Sequence, residues 1–305
     1  MLAQYETNTR FLLHDPNGQA YATSSVDTAI NSARRKVATT AECVRTLLSG
    51  GTITNLIIAN GGSGYAGTAT VTFTGPGSQT FATATINAGQ VASIAVSPNG
   101  GGWGWVTPPT VTVTGSGGGS NAVITPVVDN SASTVASQEV VPYSTLNTLA
   151  ALTPGIRAVI SVNSISCQWG AGSVYKPTLQ RRPWSWFQAN CRVYSIAAMN
   201  FPAYWAKFGQ GTSGSFYLFP IPSQVMSMDI DAICLPVDLA DDTTPEAIPE
   251  TFQDAVQYYA AYLCYKNSSR QQDAETMHSE YLRSLKDARK AMEGSAFVPD
   301  QYGAM

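Results

Sequence analysis

Residues 60–75, NGGSGYAGTATVTFTG, and residues 100–115, GGGWGWVTPPTVTVTG, are two copies of one unit. Gly62, Gly64 and Tyr65 return as Gly102, Gly104 and Trp105, and T-V-T-F-T-G returns as T-V-T-V-T-G. Each copy comes after a β-branched run, TITNLIIA or VASIAVSP, so the unit reads as strand, glycine turn with an aromatic, then strand. Self-similarity at a period of about forty residues is the mark of a repeat architecture. Residues 50–130 are therefore expected to form a small all-β domain of two units. Its turns are built on Gly62, Gly64 and Tyr65 and on Gly102, Gly104 and Trp105, with the aromatics folded back over the domain.

The same stretch raises a second reading and disposes of it. Gly62, Gly64 and Gly67 have the spacing G-x-G-x-x-G behind the apolar run NLIIA. A dinucleotide site needs a helix after the glycines, because the pyrophosphate rests on that helix's free N–H groups. Here the glycines lead into TATVTFTG, which alternates with period two and reads as a strand.

The flanks have a different character. In SSVDTAINSARRKVATTAECVRTLL (24–48), Val26, Ile30, Ala33, Val37, Ala41, Val44 and Leu48 recur at helical spacing, with Ser24 or Ser25 placed to cap the start. After Glu250, TFQDAVQYYAAYLCYKN places Phe252, Val256, Tyr259 and Leu263 on one face. DAETMHSEYLRSLKDARKAM does the same with Ala274, Met277, Tyr281, Leu285, Ala288 and Met292. Such faces pack against one another or against a neighbouring subunit. The candidates for subunit packing are Val26, Ile30, Val37, Val44, Phe252, Val256, Tyr259, Leu263, Tyr281 and Leu285. Between repeat and C-terminal helices, EVVPY, IRAVISVNSISC and SFYLFPIPSQVMSMDIDAICLP read as strands. The segment 181–208 gathers aromatic and basic residues with poor periodicity, as a folded loop or a subunit contact does.

Catalytic chemistry is thinly supplied. The two histidines, His14 and His278, lie far apart, and no G-x-S-x-G, P-loop or H-E-x-x-H occurs. The five cysteines form no C-x-x-C pair and read as buried free thiols. The acidic run DLADDTTPEAIPE (238–250) lacks the alternation of a calcium loop and suits a linker entering a helix, its acids opposing the positive helix end. No catalytic residue, cofactor or metal site is expected. Charged residues make up 12% of the chain, about half the usual share, and the net charge is −3. That balance argues against a protein that grips nucleic acid through a large basic face. Arg283, Lys286, Arg289 and Lys290 on the last helix read as a solvated face with salt bridges to Glu280 or Asp287. No apolar run reaches the length of a membrane span, and no secretory signal is expected at MLAQYETNTRFLL.

Two stretches together carry a resemblance: RFLLHDPNGQAYATSSVDTAINSARRKVATTAECVRTLL, and PETFQDAVQYYAAYLCYKNSSRQQDAETMHSEYLRSLKDARKA. A short lead into an Ala- and Arg-rich helix, with a helix pair late in the chain, resembles the head-to-tail adaptor (connector) proteins of tailed bacteriophages, especially the short-tailed podovirus type. The resemblance covers residues 8–48 and 135–293. It implies an α+β fold: an α-helical adaptor core, of one long N-terminal helix and a C-terminal helix pair, with a β-region. The parts are then 1–49 and 131–293 for the core, 50–130 for an inserted β-repeat domain and 294–305 for a C-terminal tail. It also implies a virion structural protein, made in the bacterial cytoplasm, that forms a closed homo-oligomeric ring, commonly of twelve copies. Such a ring joins the portal at the capsid vertex to a tail tube or nozzle protein, with tail fibres as a further partner. Genomic DNA passes through its channel without specific binding. Phe297, Val298 and Tyr302 in the tail are the candidate portal contacts. A different class of function is an adhesion protein whose β-repeat holds a carbohydrate on Tyr65, Trp103 and Trp105.

Overall fold

The protein is described by a computed structural model, which covers residues 1–75, 78–105, 108–168, 175–191 and 201–294. In chain order its elements are α1 (Leu2–Leu12), α2 (Thr23–Ala41), β1 (Arg45–Ser49), β2 (Thr52–Ser63), β3 (Ala69–Thr74), β4 (Ser78–Asn87), β5 (Gln90–Trp103), β6 (Thr110–Gly115), β7 (Ser120–Asp129), β8 (Val140–Pro142), α3 (Asn147–Ala150), β9 (Ile156–Cys167), β10 (Gln180–Arg181), α4 (Trp184–Asn190), β11 (Tyr204–Phe208), β12 (Ser215–Phe219), β13 (Met228–Pro236), α5 (Gln253–Asn267) and α6 (Gln271–Gly294).

The expected α-helical core is corrected by these elements. Helix accounts for 33% and strand for 36%, with the strands among the described residues in four sheets, so the fold is mixed rather than a helical core carrying β decoration. The physical reason lies in strands such as β13, MDIDAICLP, where six of nine positions are buried. A strand buried in this way gathers as much apolar surface as a helix face, yet has no periodicity that announces it.

Two compact units are present. The first holds Met1–Arg45, Pro154–Arg157 and the described residues from Cys234 onward. In it α2 turns Val26, Ile30, Ala33 and Val37 inward at steps of three and four. α5 buries the small residues Ala255, Ala260, Ala261 and Cys264, which let the neighbouring helices come close. α6 begins after a turn in which Ser269 takes a φ of 60°, and it buries Ala274, Tyr281, Leu285 and Ala288. α1 has no counterpart among the expected helices. Its inward residues are Leu2, Tyr5, Thr9 and Arg10, and a face half polar gives little hydrophobic signal. The helix expected over 24–48 ends at Ala41, where Glu42 takes a left-handed φ of 52°. Beyond it Arg45–Ser49 is strand β1, since β-branched and cysteine residues at 39–46 hold a helix weakly and β13 offers a ladder instead.

The second unit holds the described residues of Thr46–Thr153 and Ala158–Ile233. One of its sheets has the order β10–β11–β12–β8, antiparallel except for the β10–β11 pair. Helix α4 packs Phe187 and Cys191 against Ala206 of β11. A further sheet has the order β1–β13–β9, and the strands of the repeat supply the remaining two, β2–β7 and β5–β4–β3–β6.

Candidate assembly surfaces

The β-repeat is a pair of interlocked three-stranded units. One copy supplies β2, β3 and β4, the other β5, β6 and β7. The first strand of each copy pairs with the third strand of the other. Ile53–Val128, Leu56–Pro126 and Ile58–Ile124 across β2 and β7 reappear as Val91–Ile86, Ile94–Ala84 and Val96–Ala82 across β5 and β4. The middle strands pair with each other about Thr72 and Thr112, which are counterparts in the two copies. A local two-fold relation therefore runs between those threonines.

The glycines repeat their backbone as well as their sequence. Gly62 and Gly64 have φ of 66° and 80°, and Gly102 and Gly104 have 64° and 78°, a left-handed region that L side chains avoid. The turns hand their aromatics across the two-fold: Tyr65 N–H donates to Gly89 O at 3.0 Å, and Trp105 N–H donates to Gly51 O at 3.0 Å. Trp105 Nε1 donates to Thr80 Oγ1 at 2.8 Å, and the Ala122 N–H donates to the Tyr65 hydroxyl at 3.4 Å. Both rings are core, 4% and 2% exposed, packed with Ile53, Leu56, Val91, Val111, Val113 and Ile124. Neither offers a face to a sugar, which removes two of the three aromatics of the carbohydrate reading. The third, Trp103, ends β5 with its side chain outside the described residues.

In the helical unit Arg34 is fully buried and joined to Glu246 by Nη2 to Oε1 at 2.7 Å and Nε to Oε2 at 3.1 Å. Its Nη1 donates to Val237 O at 2.6 Å. Asn31 closes the arrangement, donating to Leu239 O and accepting from Leu239 N–H. The segment 238–250, read from sequence as a linker entering a helix, is thus pinned along α2 through Leu239 and Glu246. Arg35 pairs with Asp238. Of the candidate packing residues, Val26, Ile30, Val37, Val44, Phe252, Val256, Tyr281 and Leu285 are buried within the single chain. Tyr259 and Leu263 remain partly exposed. Tyr259 belongs to an aromatic group in which Tyr262 and His278 stand 5.0 Å apart and Tyr259 and Tyr281 4.8 Å apart, between ring centroids.

A second surface occupies the arginine- and aromatic-rich segment in the other unit. Trp184 stacks on Phe187 at 5.9 Å and leans against Phe208 and Tyr217 at 4.7 Å each. The Arg182 guanidinium lies over Trp186 at 4.8 Å and Tyr204 at 5.4 Å.

Compared with protein families, residues 7–300 match the profile described as SU10 adaptor protein. The chain belongs to the SU10 adaptor protein family. It is accordingly a phage structural adaptor, associated with the virion and in contact with other virion components. Comparison with curated proteins gave no match.

The rest of the adaptor adds little chemistry to its surfaces. Among the described residues no group of three or more His, Cys, Asp or Glu could hold a metal ion. No described helix is long and apolar enough to cross a membrane. All five cysteines are free and buried. Burial pushes the thiols of Cys43 and Cys264 up to about 11 and that of Cys167 up to about 12. The candidate portal contacts Phe297, Val298 and Tyr302 lie outside the described residues.

Proposed function

We propose that this adaptor assembles as a closed ring of twelve copies beneath the portal, joins the capsid vertex to the tail, and surrounds the channel through which the genome leaves. It acts by burial between chains and not by catalysis. The observation that carries the reading is the family match over nearly the whole chain. The half-exposed group of Tyr259, Tyr262, Leu263 and His278 on α5 and α6 supports it, since aromatic side chains with apolar bodies are enriched where subunits meet. A cyclic ring repeats one head-to-tail contact.

In the same reading the β-repeat is an inserted module that projects from the ring, and Phe297, Val298 and Tyr302 reach the portal. Adjacent module ends support the first point: Thr52 pairs with Asp129, and Gly51 N–H donates to Asp129 O at 3.1 Å. A segment whose ends meet can be spliced into a loop without moving the chain on either side. Native mass spectrometry of the protein, alone and mixed with its portal, tests the ring. A complex of twelve adaptor copies is the expected result, and a monomer that ignores the portal would overturn it.

A further inference from the structure

Where the β-repeat joins the rest of its unit, both strands of the stem are bonded to the start of β13. Gly50, at the entry, donates its N–H to Met228 O at 2.8 Å, and Met228 donates its own N–H to Ala132 O, at the exit, at 2.9 Å. A side chain has no room at the entry, since a Cβ on Gly50 would stand 2.3 Å from Ala132 O. The module's own pairing begins at Thr52 and Asp129, so Gly51 on one strand and Asn130 and Ser131 on the other lie between it and the grip of β13. Those exit residues are closed into a turn, with Ser131 N–H donating to Asp129 Oδ1 at 2.7 Å and Ser133 N–H to Asn130 O at 2.8 Å.

A buried serine ties the stem to the repeat. Ser227, fully buried, donates its hydroxyl to Gly50 O at 2.8 Å. The same carbonyl accepts the Gly104 N–H at 2.9 Å, from the turn that carries Trp105. Lys176, its side chain 7% exposed, aims the hydroxyl: Nζ donates to Ser227 Oγ at 3.1 Å and to Asp229 Oδ1 at 2.7 Å. An ammonium can only donate, so it takes the serine oxygen as acceptor and leaves the hydroxyl proton for Gly50. Ionic ties from the module itself are excluded by its sequence, because residues 46–128 contain no Asp, Glu, Lys, Arg or His.

We propose that this stem is a rigid joint, that Ser227 and Lys176 are its positioning residues, and that the module is a strut of fixed direction instead of a domain on a tether. Bending a joint whose backbone is paired in this way breaks buried hydrogen bonds, which holds it to one direction. A load or a partner on the module then bears on β13 and the sheet β1–β13–β9. The proposal rests on the reading of the β-repeat as a projecting module and adds how the module is held.

Pulsed double electron–electron resonance tests this in the full chain, with spin labels at Thr112→Cys on β6 and at Leu152→Cys beyond α3. Both positions are exposed, and the five native thiols are buried. One narrow distance is expected, and Ser227→Ala, which deletes the bond to Gly50 and the acceptor for Lys176, should broaden it. Lys176→Met keeps the hydroxyl and should broaden it less. Hydrogen exchange supplies a readout that general destabilisation would not give. The Gly104 amide should exchange about fivefold faster in Ser227→Ala, the worth of one hydrogen bond, while amides across β3 and β6 keep their wild-type rates. A broad distribution in the wild type would overturn the rigid joint. A narrow one that Ser227→Ala leaves unchanged, or equal acceleration of Gly104 and the β3 and β6 amides, would overturn the positioning role. Both labels lie in one chain, so a protein that forms no ring would remove the ring reading and leave the joint standing. A Thr112 label closed to a water-soluble relaxation reagent in the assembled complex, at an unchanged narrow distance, would show instead that the module does not project.

Discussion

Arg34 and Glu246 form a doubly bonded ion pair, 2.7 and 3.1 Å, with side chains 0% and 6% exposed. Removing one member leaves the other charged and dry, so Glu246→Ala is expected to cost about 3–5 kcal/mol. Replacing both, Arg34→Met with Glu246→Leu, should cost clearly less, because no buried charge remains. Urea unfolding monitored by far-ultraviolet circular dichroism measures the difference. Equal losses in the two variants would contradict this account.

Two glycines of the repeat separate backbone conformation from space. Gly118 has φ +72° with nothing within 4 Å of an added Cβ, whereas Gly62 has φ +66° with Ser120 O at 2.4 Å. Gly118→Ala should therefore cost only the left-handed penalty, about 1–2 kcal/mol. Gly62→Ala should cost substantially more and lower the melting temperature further. The reverse order would mean that the turn relaxes freely.

Features are legible in the sequence when their causes lie close together along the chain. The inward face of α2, with Val26, Ile30 and Val37, is a local periodicity, and the aromatic turns at Tyr65 and Trp105 are a repeat, so both are visible there. The third strands of the repeat are not. β4, SQTFATATIN, and β7, SNAVITPVVD, are structural counterparts with little common sequence, since only their inward apolar positions must agree. The Arg34 site is equally hidden, because its partner Glu246 stands 212 residues away within a run whose prolines and acids announce only a linker. The aromatic and basic segment 181–208 is visible as a composition, but the placement of Arg182 over Trp186 and Tyr204 depends on β11 arriving beside α4.

Trp105 supports the module core rather than a ligand. Trp105→Ala removes a buried indole and its bond to Thr80, with an expected loss of about 3–5 kcal/mol. Far less should be lost from ring assembly than from module stability, which native mass spectrometry and thermal unfolding together measure. Unchanged stability with loss of binding to an immobilised glycan would revive the carbohydrate reading.

The buried thiols give a simple probe of packing. With burial holding Cys43, Cys167 and Cys264 near 11 to 12, almost no thiolate is present at neutral pH, and thiolate is the reacting species. The folded protein should therefore label slowly with a disulfide reagent and rapidly once unfolded by denaturant. Fast labelling of any of the three in native buffer would show that its surroundings open.

The seating of α1 on α2 should weaken as pH rises. Glu6 of α1 is partly withdrawn from water and faces the Asp27 carboxyl of α2, and the burial and that neighbour raise its pKa. Arg10 opposes the shift, and Asp242 adds to it. A carboxyl with a raised folded-state pKa binds its proton more tightly in the folded chain, so stability falls as pH climbs from the ordinary value near 4.5 to the raised one. Below that window the carboxyl is protonated in both states, and the advantage is complete. Glu6→Gln keeps a hydrogen-bonding group without the charge, so it should flatten this dependence and protect α1 at neutral pH. Hydrogen exchange of the α1 amides, measured as pH rises from the ordinary carboxyl value and corrected for intrinsic rates, reads the effect directly. An identical pH profile in wild type and Glu6→Gln would place the source of any pH sensitivity elsewhere.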